Sequence, residues 1–520
     1  MRRRSANALA QARVAERAPE GDSRLPGAAS AVLPAGHKRQ QVYQQLRSAI
    51  AAGTLAPGSR LPPSRAHAVT LGVGRNTVLW ALSRLVAEGY VQARVGDGSY
   101  VAALLTPPKQ WVASAAAPPA RPLRPGSGAL SPWPAGSGLS ARGRLIADTA
   151  LRWQPPLQAA LPFRIGAPEV ASFPFALWDR LLRAAPRQAQ AQYLDPAGLP
   201  SLREAIAQWL WVSRGIRCSP VQVVVCSGSQ QALDLIARLL LDPGDAVLVE
   251  DPGYAGIRAC LQAHGAVVRP VAVDAEGLAL HTLDAAAARA RLAVVTPTHQ
   301  FPLGVHMSLA RRLALVAWAR ANDAWLVEDD YDGEFQYRTH RIPALTSLPH
   351  GGRVLYVGTF SKTLHPGLRL GFVVAPEALA PALAAAKALS DRHSPGDSQA
   401  ALARFISDGH LLRHLNRMRL LYAQRQAVLI EAVASASAGA LQLAPSAHGM
   451  HLAFERPDGL SDLPLANAAA QAGLMLAPLS RYALQSPRRG WLFGYAAYNE
   501  RALRDAAQLL GRVLRAARRR

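Results

Sequence analysis

Apolar and polar positions divide the chain into stretches of unlike rhythm. Residues 1–36 carry Arg, Ala, Gly and Pro without a sustained apolar face, which predicts a disordered leader. From His37 the spacing turns helical. HKRQQVYQQLRSAIAAG reads as a helix ending at Gly53, and Pro57 and Gly58 supply the turn after it. Ser64 is expected to cap a short helix over SRAHAVTLG. A third helix, RNTVLWALSRLVAEGY, turns Val78, Leu82 and Leu85 inward and leaves Arg75, Asn76 and Thr77 at its exposed start. YVQARVGDGSYVA then predicts a hairpin about Gly96-Asp97-Gly98, with Arg94 near its tip. Helix, turn and reading helix followed by a β wing make residues 37–103 a candidate winged helix-turn-helix domain for the major groove of DNA.

The rhythm is lost over residues 104–140, where TPPKQWVASAAAPPARPLRPGSGALSPWPAGSG predicts a semi-extended Pro/Gly/Ala-rich linker. Over residues 141–520 short apolar runs (VQVVVCSGS, DAVLVED, RLAVVTPT, AWLVEDD, RVLYVGTF) alternate with alanine-rich helical segments. That alternation predicts a buried, mostly parallel sheet in an α/β domain. The chain is therefore multidomain, as its 520 residues also require.

Charge sharpens this division. The 58 Lys+Arg against 34 Asp+Glu leave a net +24, which favours a polyanionic partner such as nucleic acid. Residues 37–101 hold eight Lys/Arg (Lys38, Arg39, Arg47, Arg60, Arg65, Arg75, Arg84, Arg94) and only two acids, Glu88 and Asp97. That surplus suits a phosphate-facing surface. Cys218, Cys226 and Cys260 show no metal-ligand spacing, so no metal site is expected and a reducing compartment is. No apolar run is long enough to span a bilayer, and a cytoplasmic protein is expected.

Four elements of the second part carry chemistry. In GTFSKTLHPGLRLGF, Lys362 lies between hydroxyl residues, and Thr359, Ser361 and Arg369 offer partners to a phosphate dianion. AWLVEDDYDGEF ends an apolar strand on Asp329, Asp330 and Tyr331, at the strand end where open α/β sheets place ligand chemistry. VVVCSGSQQALDLIARLL puts Gly228, Ser229 and Gln230 at a helix start, whose free N–H groups attract phosphate. VEDPGYAG supplies Tyr254 as a flat ring after a strand. An amine, an acid, a phosphate cradle and a ring to stack are what pyridoxal 5'-phosphate requires.

The order SGSQQ, EDPGY, PTHQFPLG, EDDYDGEF, TFSKTLHPGLR resembles the fold type I aminotransferase pattern, and residues 46–102 resemble a GntR-type winged helix. A GntR-type winged helix joined to an aminotransferase-like domain is the pattern of the MocR family of bacterial transcription regulators. The resemblance implies a fold type I α/β domain with a smaller α+β C-terminal subdomain. It implies that Lys362 forms the internal aldimine, Asp329 pairs with the pyridine nitrogen, Tyr331 neighbours the ring hydroxyl and Tyr254 stacks. Gly228, Ser229, Gln230, Thr359, Ser361 and Arg369 would bind phosphate. Arg65, Arg75, Asn76, Thr77, Arg94 and Gly96 would contact operator DNA.

The resemblance also implies a head-to-tail homodimer, each winged helix resting on the other subunit, with Tyr193 near the partner's cofactor. The effector would be an amine, an amino acid or pyridoxal phosphate itself. The chain departs from the pattern at three kinds of place. Gly74 replaces a capping Ser, Leu492 stands where aminotransferases hold a carboxylate-binding arginine, and Phe301 and Leu303 replace an asparagine and a small hydroxyl residue. Gly74 leaves the recognition helix less firmly capped, whereas Leu492, Phe301 and Leu303 favour a sensor over the alternative, an active aminotransferase with an accessory winged helix. A third alternative is a cofactor-free fold that only dimerises.

Overall fold

The computed structural model describes residues 35–51, 55, 58–94, 97–102, 139–153, 161–337, 343–349, 351–456, 460–486 and 488–518. The leader over residues 1–34, the linker over 103–138, and Gly53, Pro57 and Gly96 lie outside them. The first unit consists of α1 (Ala35–Ala51), α2 (Ser64–Thr70), α3 (Arg75–Ala87) and the antiparallel pair β1 (Val91–Arg94) and β2 (Gly98–Val101). Val42, Leu46 and Ile50 of α1 and Val78, Leu82 and Leu85 of α3 are buried in one apolar cluster, which realises the expected spacing. Arg94 pairs with Gly98 at the base of the wing tip.

One local expectation is corrected. Ser64 is the first residue of α2 and makes no capping hydrogen bond; Pro63, held extended at φ −53° and ψ 142°, occupies the cap position. Proline fixes the backbone just before the helix, so the helical turn begins at Ser64 itself. The Ser64 hydroxyl instead accepts a bond from Arg75 Nε at 3.3 Å. Gly74 caps α3 without a side chain, as its sequence position requires.

The second unit is built on an eight-stranded sheet. Its strands are β3 (Val223–Cys226), β4 (Ala246–Asp251), β5 (Val267–Asp274), β6 (Gly277–Leu278), β7 (Leu292–Val295), β8 (Trp325–Asp330), β9 (Val354–Thr359) and β10 (Gly371–Val374). The order is β3-β10-β9-β8-β7-β4-β5-β6. From β5 through β4, β7 and β8 to β9 the neighbours are parallel, whereas β10 is antiparallel to both β9 and β3 and β6 to β5. Apolar clusters cover both faces, so β3, β7 and β9 read as unbroken apolar runs. The carboxyl ends of β8 and β9 therefore deliver Asp329, Asp330 and Thr359 to one edge, beside the turn that follows β3.

A smaller α+β unit follows, in which β11 (His451–Glu455), β12 (Ala477–Pro478) and β13 (Gly490–Gly494) form an antiparallel sheet in the order β11-β13-β12. The long helix His410–Ala436 packs against the helix Glu500–Arg518.

Within the single chain the winged helix rests on the large domain. Arg47 donates to Ser347 O at 3.0 Å, Arg217 to Gln44 Oε1 at 3.1 Å, and one apolar cluster contains both Leu85 and Leu309. No helix among the described residues is long and apolar enough to cross a membrane.

Candidate cofactor site and nucleic-acid interface

Lys362 follows the carboxyl end of β9, in the chain that returns towards β10. Its Nζ donates to Gly166 O at 2.7 Å. Gly166 has φ +70°, and a Cβ there would lie 2.9 Å from Nζ, so glycine leaves the amine its place. Burial lowers the pKa of Lys362 most; the Asp332 and Asp329 carboxylates oppose that shift, and Arg164 adds to it.

Asp329 sits at the end of β8 with Oδ1 buried and unpartnered. Burial first, then Asp330, Glu250 and Asp332, push its carboxyl up to about 7. Its neighbour Asp330 is differently employed: it takes a 2.5 Å ion pair from buried Arg214 and a 2.6 Å bond from the Tyr356 hydroxyl. Asp329 is thus the carboxylate of the pair with an acceptor still open. The Tyr331 hydroxyl lies 2.9 Å from His299 Nδ1.

At the turn after β3, Gly228 precedes the helix Ser229–Leu240 with φ 97°, a conformation that favours glycine. Arg369, itself at φ 49°, donates to Ser227 O at 2.7 Å, and its guanidinium approaches Gly228. Thr359 Oγ1 accepts from Ser361 N at 3.2 Å, while Ser361 Oγ is buried without a partner. Gln230 turns its Nε2 to Gly256 O at 3.2 Å and leaves Oε1 unpartnered. Tyr254 precedes the helix Ala255–Ala263, with its ring edge-on to Phe301 at 5.7 Å. Burial, then the Asp329 charge, push the Tyr254 hydroxyl up to about 12.

Three supports behind these residues had no isolated signal in the sequence. Lys387, fully buried in an alanine-rich helix, bonds Asp391 at 2.7 and 2.9 Å and Gln231 Oε1 at 3.2 Å. Gln231 accepts from Ser227 N at 2.7 Å and donates to Asp391 at 2.7 Å, so a buried cation braces the turn. Only Gln231, inside SGSQQ, was within sight of a motif.

The residues marked as departures are also placed. Leu492 is fully buried in β13, paired with Ala453 and Ala477. Phe301 packs among Tyr254, Tyr331 and Tyr482. Tyr193 is 82% exposed, with Arg392 over its ring at 5.2 Å.

On the winged helix, Arg65, Arg75, Asn76 and Arg94 are exposed and Thr77 is half-buried, while the opposite side meets the large domain. Arg94 lies over the Tyr100 ring at 4.4 Å. The wing also carries Asp97, 3.8 Å from Arg60 and 4.0 Å from Arg94.

The family described as Aminotransferase class I and II matches residues 167–508, and that described as Bacterial regulatory proteins, gntR family, matches residues 38–101. The chain is 40% identical over 479 residues to the Probable rhizopine catabolism regulatory protein MocR of Rhizobium meliloti, covering 91% of this chain and 92% of that one. It is 37% identical to the HTH-type transcriptional regulator TauR of Rhodobacter capsulatus, over 76% of this chain and 80% of that one. Among solved structures it is similar to LysN, the α-aminoadipate aminotransferase of Thermus thermophilus complexed with N-(5'-phosphopyridoxyl)-L-leucine. That match has 29% identity and a TM-score of 0.64, over 71% of this chain and 96% of that one. With two thirds of its length matched by one family and its amino-terminal unit by the other, the chain belongs to the aminotransferase class I and II family, in the MocR-like group of gntR-type transcription regulators.

Proposed function

We propose that the chain regulates transcription by binding operator DNA through the winged helix, with pyridoxal 5'-phosphate held at Lys362 as its sensing element. The observation that carries this is the pairing of two features in one chain. A reading face of exposed Arg65, Arg75, Asn76 and Arg94 stands on a domain that buries Lys362 beside an open Asp329 carboxylate.

The residues fit the cofactor through atoms that the protein leaves bare. Asp329 Oδ1 is an unspent acceptor suited to a pyridinium N–H, and Ser361 Oγ an unspent donor suited to phosphate. Ser229 N, Thr359 and Arg369 would join Ser361 in holding the phosphate near the turn at Gly228, and Tyr254 would stack on the ring. When bound, pyridoxal phosphate supplies an aldehyde that captures primary amines and an electron-withdrawing ring. Burial keeps the Lys362 amine ready to lose its proton, and the open Asp329 carboxyl would hold a proton shared with the ring nitrogen.

The effector is a primary amine or amino acid, or the cofactor itself. Leu492 offers no charge to a carboxylate, which supports sensing over efficient transamination. The complete Lys362, Asp329 and Arg369 set argues against a cofactor-free fold, and ketoacid-dependent turnover would establish the alternative of a working aminotransferase. Coupling to DNA requires that the effector bind two domain arrangements unequally. Contacts such as Arg47 to Ser347 O exist only while the winged helix is docked. The regulator acts in the cytoplasm as a homodimer, which sedimentation of the intact chain tests.

The decisive experiment is the visible spectrum of the purified chain before and after borohydride, with peptide mapping of the reduced adduct. A yellow protein trapped at Lys362 supports the reading, and a chain that stays colourless with added pyridoxal phosphate refutes it.

A further inference from the structure

His299 lies in the loop after β7, outside every role assigned so far. Its Nδ1 is 3.0 and 3.1 Å from the two oxygens of Asp332 and 2.9 Å from the Tyr331 hydroxyl. His299 and Asp332 are each almost wholly buried. A bare Nδ1 would set its lone pair against a buried carboxylate, so the proton belongs on Nδ1 and points to Asp332. The Tyr331 oxygen then shares that N–H as a second acceptor, and its own hydrogen is left to donate elsewhere. The other ring nitrogen, Nε2, is buried and has no partner.

The ring occupies a slot that two glycines make. A Cβ at Gly449 (φ +87°) would lie within 2.5 Å of three ring atoms, and one at Gly304 (φ +75°) 3.3 Å from Nε2. The Gly449 backbone cannot withdraw easily, because its N–H bonds Phe335 O at 2.9 Å and its carbonyl accepts from the Tyr495 hydroxyl at 2.7 Å. The neighbouring histidines are neutral, and the nearest further acid is already paired. His451 donates Nε2–H to Pro302 O, and burial holds His451, His306 and His448 well below the usual histidine range. Asp330 is committed to Arg214. The remaining charges facing this corner are Asp329, Glu250, Arg164 and Lys362 itself.

Resting on the cofactor reading above, we propose that Asp332 and His299 are positioning residues that act through Tyr331 on the Lys362 side of the site. Asp332 holds His299 in its Nδ1–H form, and that N–H strengthens Tyr331 as a hydrogen-bond donor. The Asp332 charge in turn stabilises a cation at the Lys362 nitrogen. The two residues thereby set the pH at which the lysine-linked cofactor loses its proton.

The test is a pH titration of the visible absorbance of the intact chain loaded with pyridoxal phosphate. Asp332→Asn keeps an amide oxygen to accept from His299 Nδ1–H while removing the anion, so it shifts the transition to lower pH. His299→Gln leaves the Tyr331 oxygen without its N–H donor and raises the transition. His299→Asn, whose amide N–H takes the place of Nδ1–H, keeps it near wild type. A role in filling the slot alone predicts no advantage of Asn over Gln, since both are smaller than the ring. Coloured variants that all titrate with the wild type, or Asn and Gln variants that shift alike, overturn the inference while leaving the cofactor reading intact. A wild-type chain that takes up no cofactor overturns both.

Discussion

Replacing Asp329 by Asn should stabilise the cofactor-free protein in a pH-dependent way while weakening its hold on pyridoxal phosphate. In the folded chain this carboxyl is raised from 3.8 to about 7, chiefly by burial. The folded value lies above the unfolded one, so the native state binds the proton more tightly. Stability is full below about pH 4 and is lost as pH rises towards 7. At about 1.4 kcal/mol per unit, the ionised group costs about 4 kcal/mol at pH 8 and about 2 kcal/mol at pH 5. Relative to the neutral carboxyl, which is buried alike, the asparagine amide leaves one more donor unpaired at a cost of about 2 kcal/mol, independent of pH. The net gain for Asp329→Asn is therefore about 2 kcal/mol at pH 8 and close to zero at pH 5. Urea midpoints of the two cofactor-free proteins at both pH values measure it. Added pyridoxal phosphate should raise the wild-type midpoint more than the variant's. A gain equal at pH 5 and pH 8, or a variant less stable than wild type at pH 8, refutes the reasoning that Asp329 is a strained acceptor waiting for a proton donor.

Lys362→Ala should leave the fold intact and abolish the borohydride-trapped adduct; a variant that still traps the cofactor has its anchor elsewhere. Lys387→Met should weaken pyridoxal phosphate binding by roughly tenfold and leave pyridoxal binding unchanged, because the Lys387–Gln231–Ser227 chain braces the phosphate turn. Equal losses for both ligands, read by fluorescence titration, would reduce Lys387 to a structural role. Arg75→Ala should cost about 1–3 kcal/mol of operator affinity in a mobility-shift titration, selectively if Arg75 reads a base and uniformly if it meets phosphate. Unchanged affinity removes it from the interface.

The sequence alone determined what depends on near neighbours. Val78, Leu82 and Leu85 lie within two turns of one helix, so their spacing disclosed the buried face of α3. The apolar runs of β3, β7 and β9 declared a sheet covered on both sides, and the motif order declared the family. Ser64 shows the limit of such signals, because the cap position went to a proline one residue earlier.

What only the tertiary structure decided is which polar atoms are spent and which are left open. Asp329 and Asp330 are adjacent and alike in sequence, yet Arg214 and Tyr356 arrive from distant elements to engage only the second. Lys387 gives no local sign of reaching a turn about 160 residues away, and the slot around His299 is made by Gly304 and Gly449 from separate segments. Hydrophobic periodicity reports which side of an element faces inward. It is silent about the particular partner met there, since that is settled by how the elements pack.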